Sequence, residues 1–422
     1  MTAISQDVIM TDSVCRPHTK CRVCKSTDLT EYLDLGLMPL CNNLEPTEEL
    51  AKGKDRYPLK IMFCNTCGLS QLSVVVDPEV LFSHYTYMSG VNQGYVRHCR
   101  KMAEDLKDRF NLNSNTFHID IGGNEGTLLA QFKEVLNHDI LNVDPAENIT
   151  AIARENGIPS LTEFWGLPVI YKIGKRADLL TSTNVFAHLD GIVEFIVACR
   201  GMLHHNAVLV IENPYLIDFI DNMEWDTTYF EHVTYWSLLP MIKLCEDYQL
   251  KVIAAEKQEI HGGTMRYIIA RKESDHIPSP ELEALCAEER RRGFDKFEVY
   301  SEWTNKVNLH ISTFRRNLLA LKKEGKTIIG FAASAKGNTL LNAAEIGSDV
   351  INCIIDETPT KVGMFSPGTG IPIVGIENIM KINPDYIVIL SWNFSDEIIA
   401  KIKALGYKGK YIIPIPNFTI ID

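Results

Sequence analysis

Residues 117–144, FHIDIGGNEGTLLAQFKEVLNHDILNVD, decide how the rest of the chain is read. An apolar run leads into Gly122, Asn124 and Gly126. An amphipathic helical segment follows, and a second apolar run (Ile140, Leu141, Val143) ends on Asp144. This predicts a strand, a glycine turn, a helix and a strand with an acid at its tip. Glycines let backbone approach a ligand where a Cβ would collide, and the terminal carboxylate can accept hydrogen bonds from a ribose. The unit is therefore a nucleoside seat.

The spacing narrows the choice of nucleoside. A dinucleotide fingerprint reads GxGxxG, whereas this turn reads GGNEG, with glycines at Gly122, Gly123 and Gly126. It resembles the GxGxG-type loop of S-adenosylmethionine (SAM) methyltransferases in a GxNxG variant. A nicotinamide enzyme and a merely structural αβ turn are the competing readings.

A chain of 422 residues is too long for one ordinary core, so two or three domains are expected. A formal net charge of -12 gives no basic field to collect phosphates, which argues against a nucleic-acid partner. No apolar stretch is long enough to span a bilayer, and the polar first twenty or so residues lack the core of a secretory signal. A cytoplasmic protein without a membrane partner is expected, and in that compartment its eleven cysteines are thiols or metal ligands. Seven (Cys15, Cys41, Cys99, Cys199, Cys245, Cys286, Cys353) show no paired spacing and read as packed thiols. The other four, Cys21 and Cys24 in CRVC and Cys64 and Cys67 in CNTCG, form two CxxC knuckles that bring four soft ligands to one ion. With all four places filled by thiolate, that Zn2+ is structural. The long separation between knuckles requires structure in the intervening loop.

Residues 1–18 read as a loose arm. Residues 77–92, DPEVLFSHYTYMSGVN, carry more aromatic surface than a plain connection needs, and residues 94–110 form a charged amphipathic helix. From 117 to about 271 six strands alternate with helices: HIDIG, DILNVD, DLLTSTNVFAHL, AVLVIENP, KVIAAEKQ and TMRYIIARK. The last two lie close in sequence, as an antiparallel finish to a doubly wound sheet requires. Ligands in such sheets sit beyond the carboxyl ends of the strands, so Asn124, Asp144, Asn184, His188, Glu212 and Asn213 matter most. After a linker at 273–280 comes a long charged helical stretch, 281–324, whose charges read as a solvated face. A second Rossmann-like half follows, with KTIIGFAASAKGNTLLNAA, VINCIIDETPTKVG, DYIVILSWN and KYIIPIP. In it Ser334, Ala335 and Lys336 replace a glycine-rich loop, and that helix start reads either as an anion site made by its amides or as an inert structural turn. The fold class is α/β: a zinc-binding module (1–75), a Rossmann-like SAM-methyltransferase domain (76–272) and a C-terminal Rossmann-like domain (273–422).

Between the fourth and fifth predicted central strands lies TTYFEHVTYWS, with Tyr229, Glu231 and His232. In extended backbone His232 would point away from the other two, so all three line one pocket only if the chain turns there. An imidazole beside a carboxylate is equipment for proton abstraction. His188 is the better single candidate by position, and HGGTMR supplies His261 and Arg266 beside two glycines, or simply a hairpin turn.

In order and spacing, CxxC, CxxCG, YxYxSG, GxNxG, NVFAH, YFEH, HGGTMR and SAKGNT resemble the sugar C-methyltransferases, which methylate C3 of nucleotide-linked 4-keto-6-deoxy sugars. The resemblance covers nearly the whole chain from Cys21. It implies that Cys21, Cys24, Cys64 and Cys67 hold zinc, and that Gly122, Asn124, Gly126 and Asp144 hold SAM, with Asp144 on the ribose. It further implies that His188, Tyr229, Glu231 and His232 form the reactive cluster with His232 as base, joined by Tyr85 or Tyr87. Gly123 departs from the cysteine or other small residue that relatives often carry, which leaves the cofactor unchanged. A 4-keto group acidifies the C3 hydrogen, so His232 would take a proton and leave an enolate, with Tyr229, His188 or Glu231 orienting it or stabilising the oxygen. The substrate side would come from the C-terminal half, where Ser334, Lys336 and Asn338 lie, with His261 and Arg266 as further substrate-binding residues. Heteroatom methylation of a sugar or other small molecule, and a non-catalytic zinc-containing binding protein, are the alternatives.

Overall fold

The computed structural model describes residues 14–82, 88–260 and 262–422. Its centre is a seven-stranded sheet: β1 (Phe117–Ile121), β2 (Asp139–Asp144), β3 (Ser160–Thr162), β4 (Ala177–Thr183), β5 (Leu203–Pro214), β6 (Leu250–Gln258) and β7 (Thr264–Arg271). The order is β6-β7-β5-β4-β1-β2-β3. The first five strands pair in parallel, and β7 runs antiparallel to both neighbours, the expected finish. β3 is the addition to the six predicted strands. Three residues at a half-buried edge are too short to show a pattern. The strand order reverses between β1 and β4, and this opens a crevice at their carboxyl ends.

The loop between the cysteine knuckles does carry its own structure. Leu29–Met38, Tyr57–Cys64 and Ser70–Leu72 make three antiparallel strands, and Glu48–Lys52 is a short helix capped by Thr47. The fourth strand of that sheet, Thr234–Tyr235, comes from the chain just beyond His232, with Thr234 opposite Gln71 and Tyr235 opposite Ser70. The zinc-bearing sheet is thus completed by the segment that carries the predicted base.

The charged stretch after the linker is two helices, Pro280–Arg291 and Phe297–Lys323. Tyr300 of the second packs its ring 5.0 Å from Tyr32 and 4.7 Å from Phe63, joining this helix to the N-terminal sheet. Not all its charges are solvated. Glu289 is fully buried, accepting from Tyr215 Oη at 2.6 Å and from the amides of Leu238 and Leu239 at 2.8 and 3.0 Å, where it caps the helix Leu238–Asp247. A buried carboxylate is tolerable only with such donors.

The C-terminal sheet has six strands, in the order Ile373–Val374, Ile354–Ile355, Ile328–Phe331, Tyr386–Ile389, Lys410–Ile413 and Thr419–Ile421, parallel except for the last. One apolar cluster links the N-terminal four-stranded sheet, the central sheet and the C-terminal sheet, from Leu33 and Phe63 through Ile119 and Ile211 to Val388. Among the described residues no helix is long and apolar enough to cross a membrane.

Candidate active site

The glycine turn sits at the carboxyl end of β1, at the mouth of a cavity of about 360 Å³ lined by Gly122, Asn124, Asp144, Thr183, Asn184 and His188. Gly122, Asn124 and Gly126 all have left-handed backbone, with φ of 68°, 53° and 83°. A Cβ on Gly122 would fall on the Val185 side chain, and one on Gly126 would lie 2.9 Å from Ile158, so both glycines are needed for close approach as well as for φ. At Gly123 an added Cβ would lie 2.5 Å from Asn142 Oδ1 and 2.6 Å from Asp120 Oδ2. Those two buried side chains explain a bare glycine here.

Asp144 ends β2. Its Oδ2 accepts from Asn124 N at 3.1 Å and its Oδ1 from Ala146 N at 2.9 Å. Burial pushes its pKa up, and these two amides counter that. Each oxygen keeps a lone pair for a diol in the cavity it lines. These features fit a bound SAM: left-handed turn, bare backbone and an acid at the second strand tip.

The turn is covered by the end of the aromatic stretch and the start of the helix after it. Ser89 N donates to Glu125 Oε2 at 3.1 Å, Gly90 N donates to Oε1 at 2.5 Å, and Tyr95 Oη pairs with Thr183 Oγ1 at 2.8 Å. Sequence reasoning passed over Glu125, although it sits inside the quoted turn. Tyr85, Tyr87 and His261 lie outside the described residues.

The chain does turn at 229–232, where His232 N donates to Tyr229 O at 2.9 Å. That turn brings the Tyr229 and His232 rings to a centroid separation of 4.1 Å, and the His188 ring lies 5.1 Å from His232. Three of the four expected reactive residues therefore meet. Glu231 goes the opposite way, into the N-terminal module, where Asn42 Nδ2 donates to its Oε1 at 2.9 Å and the Cys41 thiol lies 3.7 Å from Oε2. Cys41 is thus a packed thiol with a specific neighbour, which no spacing in the sequence could reveal.

His232 Nδ1 lies 2.8 Å from Thr227 O. A carbonyl only accepts, so Nδ1 carries the hydrogen and Nε2 keeps its lone pair. Burial lowers the His232 pKa to about 4, with the Lys336 charge adding to the effect and the bond to Thr227 opposing it. Burial and the neighbouring His232 lower His188 to about 3. Both rings are neutral at physiological pH. The acid limb of kcat/KM is accordingly expected near pH 4 if His232 is the base. A limb at the ordinary imidazole position, near 6.5, would exclude it.

Of the residues expected to hold substrate, Ser334 caps the helix Ala335–Ala343 by accepting from Gly337 N at 3.2 Å, and Asn338 is buried, donating to Ser366 Oγ and Pro367 O at 2.9 Å. Lys336 Nζ donates to Asn393 Oδ1 at 2.9 Å and sits 4.8 Å from the Trp392 ring centre. Its charge is felt by Asp226 and Glu224, whose pKa values burial nevertheless raises to about 6 and about 7. Trp392 Nε1 donates to Asp226 Oδ2 at 2.8 Å. These acids limit what Lys336 can offer a diphosphate. Arg266 lies elsewhere, in a buried pair with Glu212 at 2.6 Å, and His98 Nε2 holds the other Glu212 oxygen at 2.7 Å.

At the N-terminal end the ligand atoms of Cys21, Cys24, Cys64 and Cys67 lie within 4.8 Å of one another. The Sγ atoms of Cys21 and Cys67, and of Cys24 and Cys64, are 3.5 Å apart, a fit to tetrahedral thiolate coordination of Zn2+. Gly68, at φ 78°, relieves the second knuckle.

Residues 21–82 match a zinc binding domain, and residues 259–416 match the C-methyltransferase C-terminal domain. The C-methyltransferase NovU of Streptomyces niveus is 31% identical over 413 residues, covering 97% of this chain and 98% of its own. The chain belongs to the C-methyltransferase family. It is a SAM-dependent methyltransferase of α/β fold with an N-terminal zinc domain built on four cysteines, and carbon is the methyl acceptor, which removes the heteroatom and non-catalytic alternatives. Two solved structures also align with this C-methyltransferase. Magnesium protoporphyrin IX methyltransferase of Synechocystis PCC 6803 has 10% identity and a TM-score of 0.34, covering 46% of this chain and 88% of its own. A SAM-dependent methyltransferase of Clostridium acetobutylicum has 11% identity and a TM-score of 0.34, covering 42% and 92%. At those scores neither bears on the assignment.

Replacing Asp144 by Ala in this C-methyltransferase removes the carboxylate and strands the amides of Asn124 and Ala146. SAM affinity is expected to fall by about ten- to a hundredfold, since charge-assisted hydrogen bonds are worth about 1.5–3 kcal/mol. Calorimetry checks it. Unchanged affinity would move the ribose elsewhere.

Proposed function

We propose that this C-methyltransferase methylates C3 of a nucleotide-linked 4-keto-6-deoxy sugar, with His232 as general base. The observation that carries the reading is the His232 imidazole. It is neutral, oriented by Thr227 O, and in ring contact with the His188 that lines the cavity. Bound SAM supplies an electrophilic methyl group. His232 Nε2 removes the C3 proton that the neighbouring ketone acidifies, and the enolate carbon is then the nucleophile. Tyr229, whose ring lies tilted against His232, and His188 are the groups near enough to stabilise the enolate oxygen. Glu231 acts at one remove, anchoring the segment to Asn42.

Gly122, Asn124, Gly126 and Asp144 hold SAM in this reading, within a central domain of residues 76–272. The helix start at Ser334 and the Lys336 side of residues 273–422 face the substrate. The helix Ala335–Ala343 touches the reactive loop directly, Thr339 Oγ1 donating to Thr228 O at 3.3 Å. Incubating a 4-keto sugar nucleotide with enzyme in D2O, without SAM, should wash deuterium into C3. Absence of wash-in, alongside methyl transfer when SAM is added, would mean that proton removal does not precede attack.

A further inference from the structure

Arg22 stands between the zinc ligands Cys21 and Cys24, and its side chain is wholly buried. Burying a guanidinium costs several kcal/mol unless its donors are matched, so its partners show what the charge is for. Nε donates to Asp190 Oδ1 at 3.0 Å, Nη1 to Leu72 O at 2.8 Å and Nη2 to Val74 O at 3.2 Å. Its main-chain N donates to Gln71 Oε1 at 2.8 Å. Both ends of this network lead to the reactive histidines. Leu72 N donates to Val233 O at 2.9 Å and Gln71 lies opposite Thr234, so the strand Arg22 grips carries the chain immediately after His232. Asp190 lines the cavity two residues after His188. Thr234 Oγ1 closes the circuit on Ala187 O at 3.3 Å.

We propose that Arg22 is a positioning residue for methyl transfer: one buried guanidinium fixes the loop bearing His188 and the loop bearing His232 to the first zinc knuckle, and so sets their separation. Asp190 is the receiving end, and Arg16 at 2.7 Å and His18 at 3.4 Å hold its carboxylate in place. The planar fork of arginine reaches two carbonyls and a carboxylate at once, which a lysine cannot do. Because transfer rates respond steeply to small misplacements of the reacting groups, releasing either loop costs turnover before it costs fold.

The test uses full-length, zinc-loaded protein carrying Arg22→Lys, with Asp190→Asn as the second variant because that side chain is partly exposed and its loss spares the core. Zinc per chain is expected to equal the parent's in both variants, and SAM affinity to stay within about threefold in Arg22→Lys; Asp190 lines the cavity, so Asp190→Asn is read by zinc content, amide exchange and kcat at saturating SAM. Amide exchange at 184–191 and 229–236 should accelerate by about tenfold or more, with Thr264–Arg271 unchanged, because local opening is independent of global unfolding. kcat should fall by at least a comparable factor, about tenfold. Unchanged exchange in the two loops, acceleration spread equally to Thr264–Arg271, or loss of zinc would each overturn the proposal. If Arg22→Lys does not fold, Asp190→Asn decides by zinc content, exchange in the two loops and kcat at saturating SAM. The inference rests on His188 and His232 being the reactive pair. Exchange needs no substrate, so its failure and a failure of C3 wash-in in the parent enzyme are separate results.

Discussion

His232→Asn is expected to abolish methyl transfer while leaving SAM in place. The asparagine amide can still donate to Thr227 O, as the imidazole Nδ1 does at 2.8 Å, so the turn that begins with His232 N on Tyr229 O should survive. What disappears is the Nε2 lone pair. Positioned general bases contribute about 10²–10⁴-fold, and a fall in kcat within that range is expected, with C3 wash-in lost to the same extent. SAM affinity should change little, because the cavity is lined by the glycine turn, Asp144 and His188, with His232 behind them. The low pKa of His232 sharpens this expectation. If His232 is the base, a pKa of about 4 makes the ring a weak base that is always in its active form at neutral pH, and the rate then rests on orientation and on stabilising the product of proton removal. His188→Asn should behave differently, disturbing SAM affinity and turnover together, since His188 belongs to the cavity wall. Wash-in and turnover persisting in His232→Asn would remove His232 from the chemistry.

The central fold was legible because each of its signals is local. Alternating apolar runs, three glycines in a turn and an acid at a strand tip all follow from backbone geometry within about 30 residues. The cysteine knuckles were legible for the same reason. β3 escaped because three residues carry no period, and the second helix start was recognised by its small residues while the partners of Lys336 were not. Those partners, Asp226, Glu224 and Trp392, arrive from segments more than fifty residues away in either direction. The EH pair shows the limit most clearly. Adjacent in sequence, Glu231 and His232 suggest a carboxylate that assists an imidazole, but the turn sends them to opposite sides, one to Asn42 and the other to His188. Nothing in the residues themselves says that Thr234–Tyr235 will leave the central sheet to complete another.

That borrowed strand governs the second large effect. Removing zinc, by chelation or by Cys64→Ser, is expected to cost methyl transfer about a hundredfold or more while SAM binding falls by about tenfold at most. A structural zinc contributes about 10–16 kcal/mol to small domains that fold around it. Here the sheet also shares the apolar cluster that runs into the central domain, so loss of the ion should loosen the module without detaching it. The loosening begins where the ligands are. Cys64 ends the strand Tyr57–Cys64 and Cys67 lies just before Ser70–Leu72, so the strand that pairs with Thr234–Tyr235 loses its fixed end first. Four thiols whose Sγ atoms approach to 3.5 Å have no reason to stay together without a cation. His232, two residues from the pairing, then loses its register against His188. The glycine turn is built on β1 and β2 and held by Asp144, none of which carries a cysteine ligand, and should keep most of its affinity. Zinc released per chain, SAM calorimetry and turnover, measured on one sample before and after chelation and again after zinc is restored, separate these effects. Full turnover in the zinc-free protein would show that the N-terminal module is a passenger of the active site. Recovery of turnover on restoring zinc, with SAM affinity nearly constant throughout, would show that the ion acts through the placement of His232.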